Sequence, residues 1–196
     1  MKQVTWQLTI LIVVCFFPAL VIGQSATTIF KKVESKPEVT VSWFSCPVGK
    51  FVVDFRHNFD QGETFGLFVG YRVVFEVLDE DADSLPATLT FVPMLGVLNG
   101  PYDGISPQLV TTISRGQLNA YILNQYSAST CSRPDFAYHL LEMSWTLKKV
   151  NWLTLGVGEQ LYHEVTSGFK TEVDIGPQIK VTWGRAFAKL WYSWGG

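Results

Sequence analysis

Gly156-Val157-Gly158 follows a strand-like run that ends at Leu155, the place where a dinucleotide or S-adenosylmethionine loop would begin. Such a loop needs a strand, a glycine-rich turn, and a helix whose N-terminus meets the anion. Here Leu161 occupies the third glycine position of G-x-G-x-x-G. The chain ends too soon for a nucleotide-binding domain, because one strand–helix–strand unit takes about 30 residues or more. Nothing upstream alternates strand with helix either. The glycine pair therefore reads as a turn or bulge between two strands, and no cofactor is expected.

Other reactive side chains are scattered. His57, His139 and His163 stand apart, without the short spacings or cysteine neighbours of a zinc site, so no metal is expected. No G-x-S-x-G nucleophile elbow occurs. Thr166-Ser167-Gly168 beside His163 reads as a turn rather than a serine site, and no catalytic residue is assigned. Asp79, Asp81 and Asp83 alternate like the start of an EF-hand loop, but Ser84 stands at the turning glycine and Thr90 at the closing glutamate. The cluster reads as a solvated acidic turn, with a weak Ca²⁺ site as the alternative.

The last quarter of the chain holds Trp145, Trp152, Trp183, Trp191 and Trp194. Period-two placement assigns Trp145 and Trp183 to a core. Leu190, Tyr192 and Trp194 share one parity and Trp191 the other, so at least one large aromatic must be exposed. Trp183, Arg185, Lys189 and Trp191 together form the candidate ligand-binding set, suited to stacking on a sugar, lipid or protein partner.

The chain opens with one positive charge at Lys2, an apolar stretch from Leu8 to Ile22, and Gly23-Gln24. This is the pattern of a secretory leader cleaved after Gly23, leaving residues 24–196 as one domain and no membrane span. Cys15 leaves with the leader, so Cys46 and Cys131 are expected to pair in an oxidising compartment. On chain-entropy grounds such a loop closure is worth roughly 4 kcal/mol. With 15 basic and 17 acidic residues, nucleic acid is excluded as the main partner.

Alternation dictates the elements. Val39-Val41-Trp43, Tyr71-Val73-Phe75, Leu89-Phe91, Met143-Trp145-Leu147, Val173-Ile175 and Ile179-Val181-Trp183 each skip a more polar or neutral neighbour, which is the period of a strand. Turn chemistry separates them at Pro47-Val48-Gly49, Asp60-Gln61-Gly62, Asn99-Gly100-Pro101, Asp103-Gly104, Ser167-Gly168 and Gly176-Pro177. Leu95 to Pro107 and Ser127 to Pro134 read as loops. Gly116 to Tyr126 and Glu159 to Thr166 are the two short helix candidates. The expected fold is an all-β antiparallel sandwich carrying one or two short helices.

Three stretches, Phe75 to Phe91, His139 to Leu161 and Ile179 to Trp194, resemble the farnesoic acid O-methyltransferase-like domain of invertebrate secreted and receptor-like proteins. Phe75 and Val77 match its F-x-V, Asp81 and Ala82 its Asp-Ala pair, and Ser144 and Trp145 its S-W. Gly156, Gly158 and Glu159 match its G-x-G-E; Thr182, Trp183 and Gly184 match its closing T-G-W-G with one glycine missing. The resemblance implies a β-sandwich, and its name implies methyl transfer from S-adenosylmethionine. The chain has no recognisable methyl-donor loop to support that transfer.

These observations converge on a secreted, extracellular, non-catalytic binding module for a glycan, lipid or protein partner. An extracellular or lipid-modifying enzyme of the farnesoic acid O-methyltransferase-like kind is the alternative.

Overall fold

The computed structural model describes residues 25–33, 36–58, 64–77, 86–165, 171–184, 186–192 and 194–195. The expected leader, Asp79, Asp81, Asp83, Arg185 and the residues Thr166, Ser167 and Gly168, read from the sequence as a turn, lie outside them. Thirteen strands are present: β1 (Ser25–Val33), β2 (Lys36–Val48), β3 (Phe51–Asn58), β4 (Thr64–Tyr71), β5 (Val73–Val77), β6 (Ala87–Asn99), β7 (Gly104–Arg115), β8 (Leu118–Ser129), β9 (Phe136–Thr146), β10 (Leu153–Glu164), β11 (Thr171–Trp183), β12 (Ala186–Tyr192) and β13 (Trp194–Gly195). No helix occurs among the described residues.

All of them belong to one sheet. Neighbours run β2-β3-β4-β6-β7-β8-β9-β10-β11-β12, antiparallel at every step. β5 extends the line of β4 along β6, and β13 continues the register of β12 on β11. β1 pairs antiparallel with β2 and parallel with β12. The all-β antiparallel class read from the sequence is thus the class of the structure, and its facing layers are arcs of a single coiled sheet.

Short hairpins set this topology. Gly49 (φ 65°) and Gly116 (φ 60°) supply the left-handed backbone that two-residue connections between twisted strands need. The β2–β3, β7–β8, β9–β10 and β11–β12 connections gather at one end of the sheet, here the near end. The β6–β7, β8–β9 and β10–β11 connections gather at the far end.

Several sequence readings are corrected. Both helix candidates are strand: Gly116 to Tyr126 is a turn followed by β8, and Glu159 to Glu164 belongs to β10. Their apolar residues are spaced in twos as well as in threes and fours, and pairing on both edges decided the outcome. Leu95 to Pro107 is mostly β6 and β7 joined by a tight connection, because its Gly and Pro lie along the strands as well as in the turn. Gly176-Pro177 is no turn. Both residues sit inside β11, at the gap where neither β12 nor β13 pairs with it, so the missing proline N–H costs no ladder bond there.

Between the arcs lies a core of Phe68, Val92, Met94, Val110, Leu123, Leu140 and Trp191. Among the described residues most of the large apolar side chains are on the other face.

Candidate functional site

The two faces of β4, β7 and β11 differ in kind. On β4 the outward residues are Phe65, Leu67, Val69 and Tyr71, and the inward ones are Thr64, Gly66, Phe68 and Gly70. β7 repeats the pattern, with Ile105, Leu109 and Ile113 exposed and Ser106 and Gln108 buried. So does β11, with Val173, Ile175 and Ile179 exposed and Gln178 buried. A sheet that faces water on one side carries polar residues there. This wall carries aromatic and branched aliphatic residues instead.

Aromatic rings collect on the wall at the near end. Phe51 and Tyr71 are register partners with ring centroids 5.5 Å apart. Trp145 and Trp183 close β9 and β11, and Trp152 sits in the β9–β10 connection, its carbonyl accepting from the Thr182 amide at 2.8 Å. All five rings are exposed. On β8 to β10 the wall changes character toward the far end. An open groove of about 500 Å³ there is lined by Leu109, Tyr126 and Leu161 together with the Asn124–His139 pair, which meet through Oδ1 and Nδ1 at 2.8 Å.

Inside, polar side chains are paired with one another. Asp54 is buried on β3, with the Arg56 guanidinium 3.6 Å away. Arg56 donates to Gln125 Oε1 at 3.3 Å from across the interior and rests 4.7 Å from the Phe68 ring. Gln125 Nε2 then donates to Ser106 Oγ at 2.8 Å and to Ser127 Oγ at 3.0 Å. A second pair, Lys189 with Glu142, links β12 to β9. Such ions stay charged in an interior only when partnered. Sequence reading missed this network, although Glu142 stands between Leu141 and Met143 and Lys189 between Ala188 and Leu190.

The candidate ligand set does not assemble on one surface. Trp183 is 60% exposed on the wall, whereas Trp191 at 3% and Lys189 at 7% point inward; Arg185 is outside the described residues. Trp145, assigned to the core along with Trp183, is also on the wall. The parity argument at the C-terminus holds: Tyr192 is exposed and Trp191 buried. Trp191 Nε1 donates to the Gly176 carbonyl at 3.1 Å.

Gly156 and Gly158 lie within β10, which pairs continuously with β9 and β11, so they form neither a turn nor a bulge. Close approach is their role. A Cβ at Gly156 would run into the Met143 carbonyl oxygen, and one at Gly158 would sit 3.4 Å from the Trp191 indole. The strand continues where a nucleotide loop would need a helix.

Cys131 is free and exposed, so the expected Cys46–Cys131 bond is absent. Cys46 lies in β2 beside the near-end β2–β3 turn, and Cys131 in the β8–β9 connection at the far end. Five strand spacings of about 4.8 Å separate β2 from β8 along the sheet, beyond the reach of a disulfide. Counting thiols could not show that topology sends the two to opposite ends.

No group of three metal-binding side chains gathers among the described residues. His57 stacks on Phe65 at 4.1 Å, and His163 Nδ1 lies 2.8 Å from Thr171 Oγ1. Polar chemistry at the far end is structural. Asp135 accepts from the Ser129 amide at 2.7 Å and from the Tyr126 hydroxyl at 2.8 Å, which hold its carboxyl below the usual range. The Ser129 hydroxyl likewise lowers the Cys131 thiol. Burial raises the Tyr102 phenol, which donates to the Ser127 carbonyl at 2.9 Å.

No protein-family model, curated protein or solved structure matches this chain.

Proposed function

We propose that the protein is a non-catalytic lipid-binding protein: an exported β-barrel whose wall sits in the hydrocarbon of a bilayer. The observation that carries this is the inversion of the strands, apolar outward on β4, β7 and β11 with Thr64, Ser106, Gln108 and Gln178 among the inward residues, the pattern of strands that cross a membrane. Strands β6 to β11 are 11 to 13 residues long, and about 9–11 suffice for a tilted crossing.

Two further features support the reading. In lipid every backbone polar group needs a partner, and β1, between β2 and β12, leaves neither of those strands as an edge. Following register partners once round through β1 shifts the position on β2 by about 15 residues, a stagger that matches strands tilted by roughly 40°. The expectation of no span after leader removal considered only helix-length apolar runs. Among the described residues no helix is long and apolar enough to cross a membrane, and strands need no such run.

The interior is filled. Phe68, Leu123, Leu140 and Trp191 pack beside the Arg56 and Lys189 pairs, so the protein acts as an anchor or binding platform rather than an open pore. The test is flotation of the mature protein with phosphatidylcholine vesicles, followed by alkaline carbonate extraction. Expected is co-flotation that resists carbonate, with brominated acyl chains quenching tryptophan fluorescence. A monomer that remains in the aqueous fraction would overturn the proposal.

A further inference from the structure

Charge is distributed unevenly between the two ends. At the near end the connections present Lys50, Arg72, Arg115, Lys148 and Lys149, all exposed. At the far end they present Asp103, Asp135 and Glu164, with Arg133 as the described cation of the β8–β9 turn. Net charge, which sums over the whole chain, hides this contrast.

The cations stand beside the ring of wall aromatics. Lys50 Nζ is 6.0 Å from the Tyr71 ring centroid, and Arg72 donates to the Gly49 carbonyl at 3.3 Å, tying the β2–β3 turn to the β4–β5 line. Lys148 and Lys149 project from an ordered connection in which the Val150 amide bonds the Leu147 carbonyl at 3.2 Å and the Leu153 amide bonds the Val150 carbonyl at 2.8 Å. None of Lys50, Lys148 and Lys149 makes an ion pair among the described residues. Glu76 on β5 is the described acid that reaches past this end.

We infer that the near end is a docking collar for anionic phospholipid headgroups, with Lys50, Lys148 and Lys149 taking the phosphates above Trp145, Trp152 and Trp183. This rests on the membrane reading above and adds to it a lipid class and an orientation. Amphipathic rings settle at the headgroup level, and lysines just beyond them meet the negative surface of an anionic leaflet. The connections carrying Asp103, Asp135 and Glu164 are repelled by that surface, so the protein enters with its near end facing it.

The experiment compares flotation with vesicles of phosphatidylcholine alone and of phosphatidylcholine mixed with phosphatidylglycerol. Wild type and the triple variant Lys50→Glu/Lys148→Glu/Lys149→Glu are both measured, with Arg133→Glu as a far-end control. The wild type should prefer the mixed vesicles, losing roughly fivefold in partitioning for each cation removed. The triple variant should still bind neutral vesicles, which shows that it is folded, and Arg133→Glu should keep the preference. Added salt should weaken the preference and leave neutral binding unchanged. Equal partitioning of the wild type into both vesicles, or a preference that survives in the triple variant, overturns the collar while the membrane reading stands. Failure to float with either vesicle overturns both.

Discussion

Trp183 and Trp191 lie eight residues apart on neighbouring strands, yet one belongs to the wall and the other to the core. Trp183 ends β11 with its ring in the near-end aromatic collar. Trp191 lies across Gly158 and donates to the Gly176 carbonyl. Residue type is the same in both cases, and what differs is which face of the sheet the backbone parity presents. Burial in this molecule therefore follows parity rather than hydrophobicity, and replacing each residue should expose that.

The largest effect is expected at Trp191. Trp191→Ala removes a buried ring and leaves a cavity over Gly158, costing about 3–5 kcal/mol in guanidinium unfolding of detergent-solubilised protein. Trp183→Ala should change that midpoint by less than about 0.5 kcal/mol, while reducing quenching by brominated lipid. Equal destabilisation by the two substitutions would break the contrast between wall and core.

This contrast also marks how much of the fold was legible. Alternation located the strands correctly at Leu89 to Phe91, Met143 to Trp145 and Ile179 to Trp183, because period two is a property of the backbone, but it ran Tyr71 to Phe75 together where Arg72 divides β4 from β5. It could not say which face is inside. The rule that apolar residues face inward assumes water outside, and that assumption sent Trp145 and Trp183 to the core. The polar interior was missed for the same reason: Arg56 and Gln125 are 69 residues apart in sequence, and only the coiling of the sheet brings them together. Gly176-Pro177 was read as a turn because composition cannot reveal that a strand's neighbour is absent at that point.

A second test concerns charge rather than size. Glu142→Gln leaves Lys189 inside without a counter-ion, at a cost of about 3 kcal/mol. Replacing Glu159, which shares β10 with the wall residues Leu155 and Val157, by Gln leaves no such buried cation and should be neutral or stabilising. A destabilisation by Glu159→Gln as large as that by Glu142→Gln would place Glu159 in a network like the interior one.

The two glycines of β10 sharpen the distinction further, because both point inward but meet different neighbours. Gly156→Ala forces a Cβ onto the Met143 carbonyl, which is backbone and cannot rotate away, so about 1–3 kcal/mol is expected. Gly158→Ala places its Cβ in ordinary contact with Trp191 and should be nearly silent, whereas Gly158→Val crowds the indole. Thermal melts of the three variants should rank Gly158→Ala highest. If Gly158→Ala instead melted lowest, the indole would not be held as described.

The smallest effect belongs to the far-end turn, where Asp135 organises the backbone next to the buried Phe136. Its carboxylate takes the Ser129 amide and the Tyr126 hydroxyl, and these bonds hold its pKa low. A carboxyl whose folded pKa is depressed contributes stability above the unfolded value of about 3.9, and that contribution disappears as pH falls through the lower folded value. The group is exposed, so the effect is local and screened by solvent. Acidification below about pH 4 should therefore speed hydrogen exchange of the Ser129 amide while amides of β9 and β10 stay protected. Asp135→Asn keeps one acceptor oxygen but removes the ionisation, so its Ser129 exchange, corrected for intrinsic chemistry, should lose this acid dependence. Loss of protection at Ser129 and throughout β9 and β10 at the same pH would show that the turn and the sheet open as one unit, erasing the boundary between them.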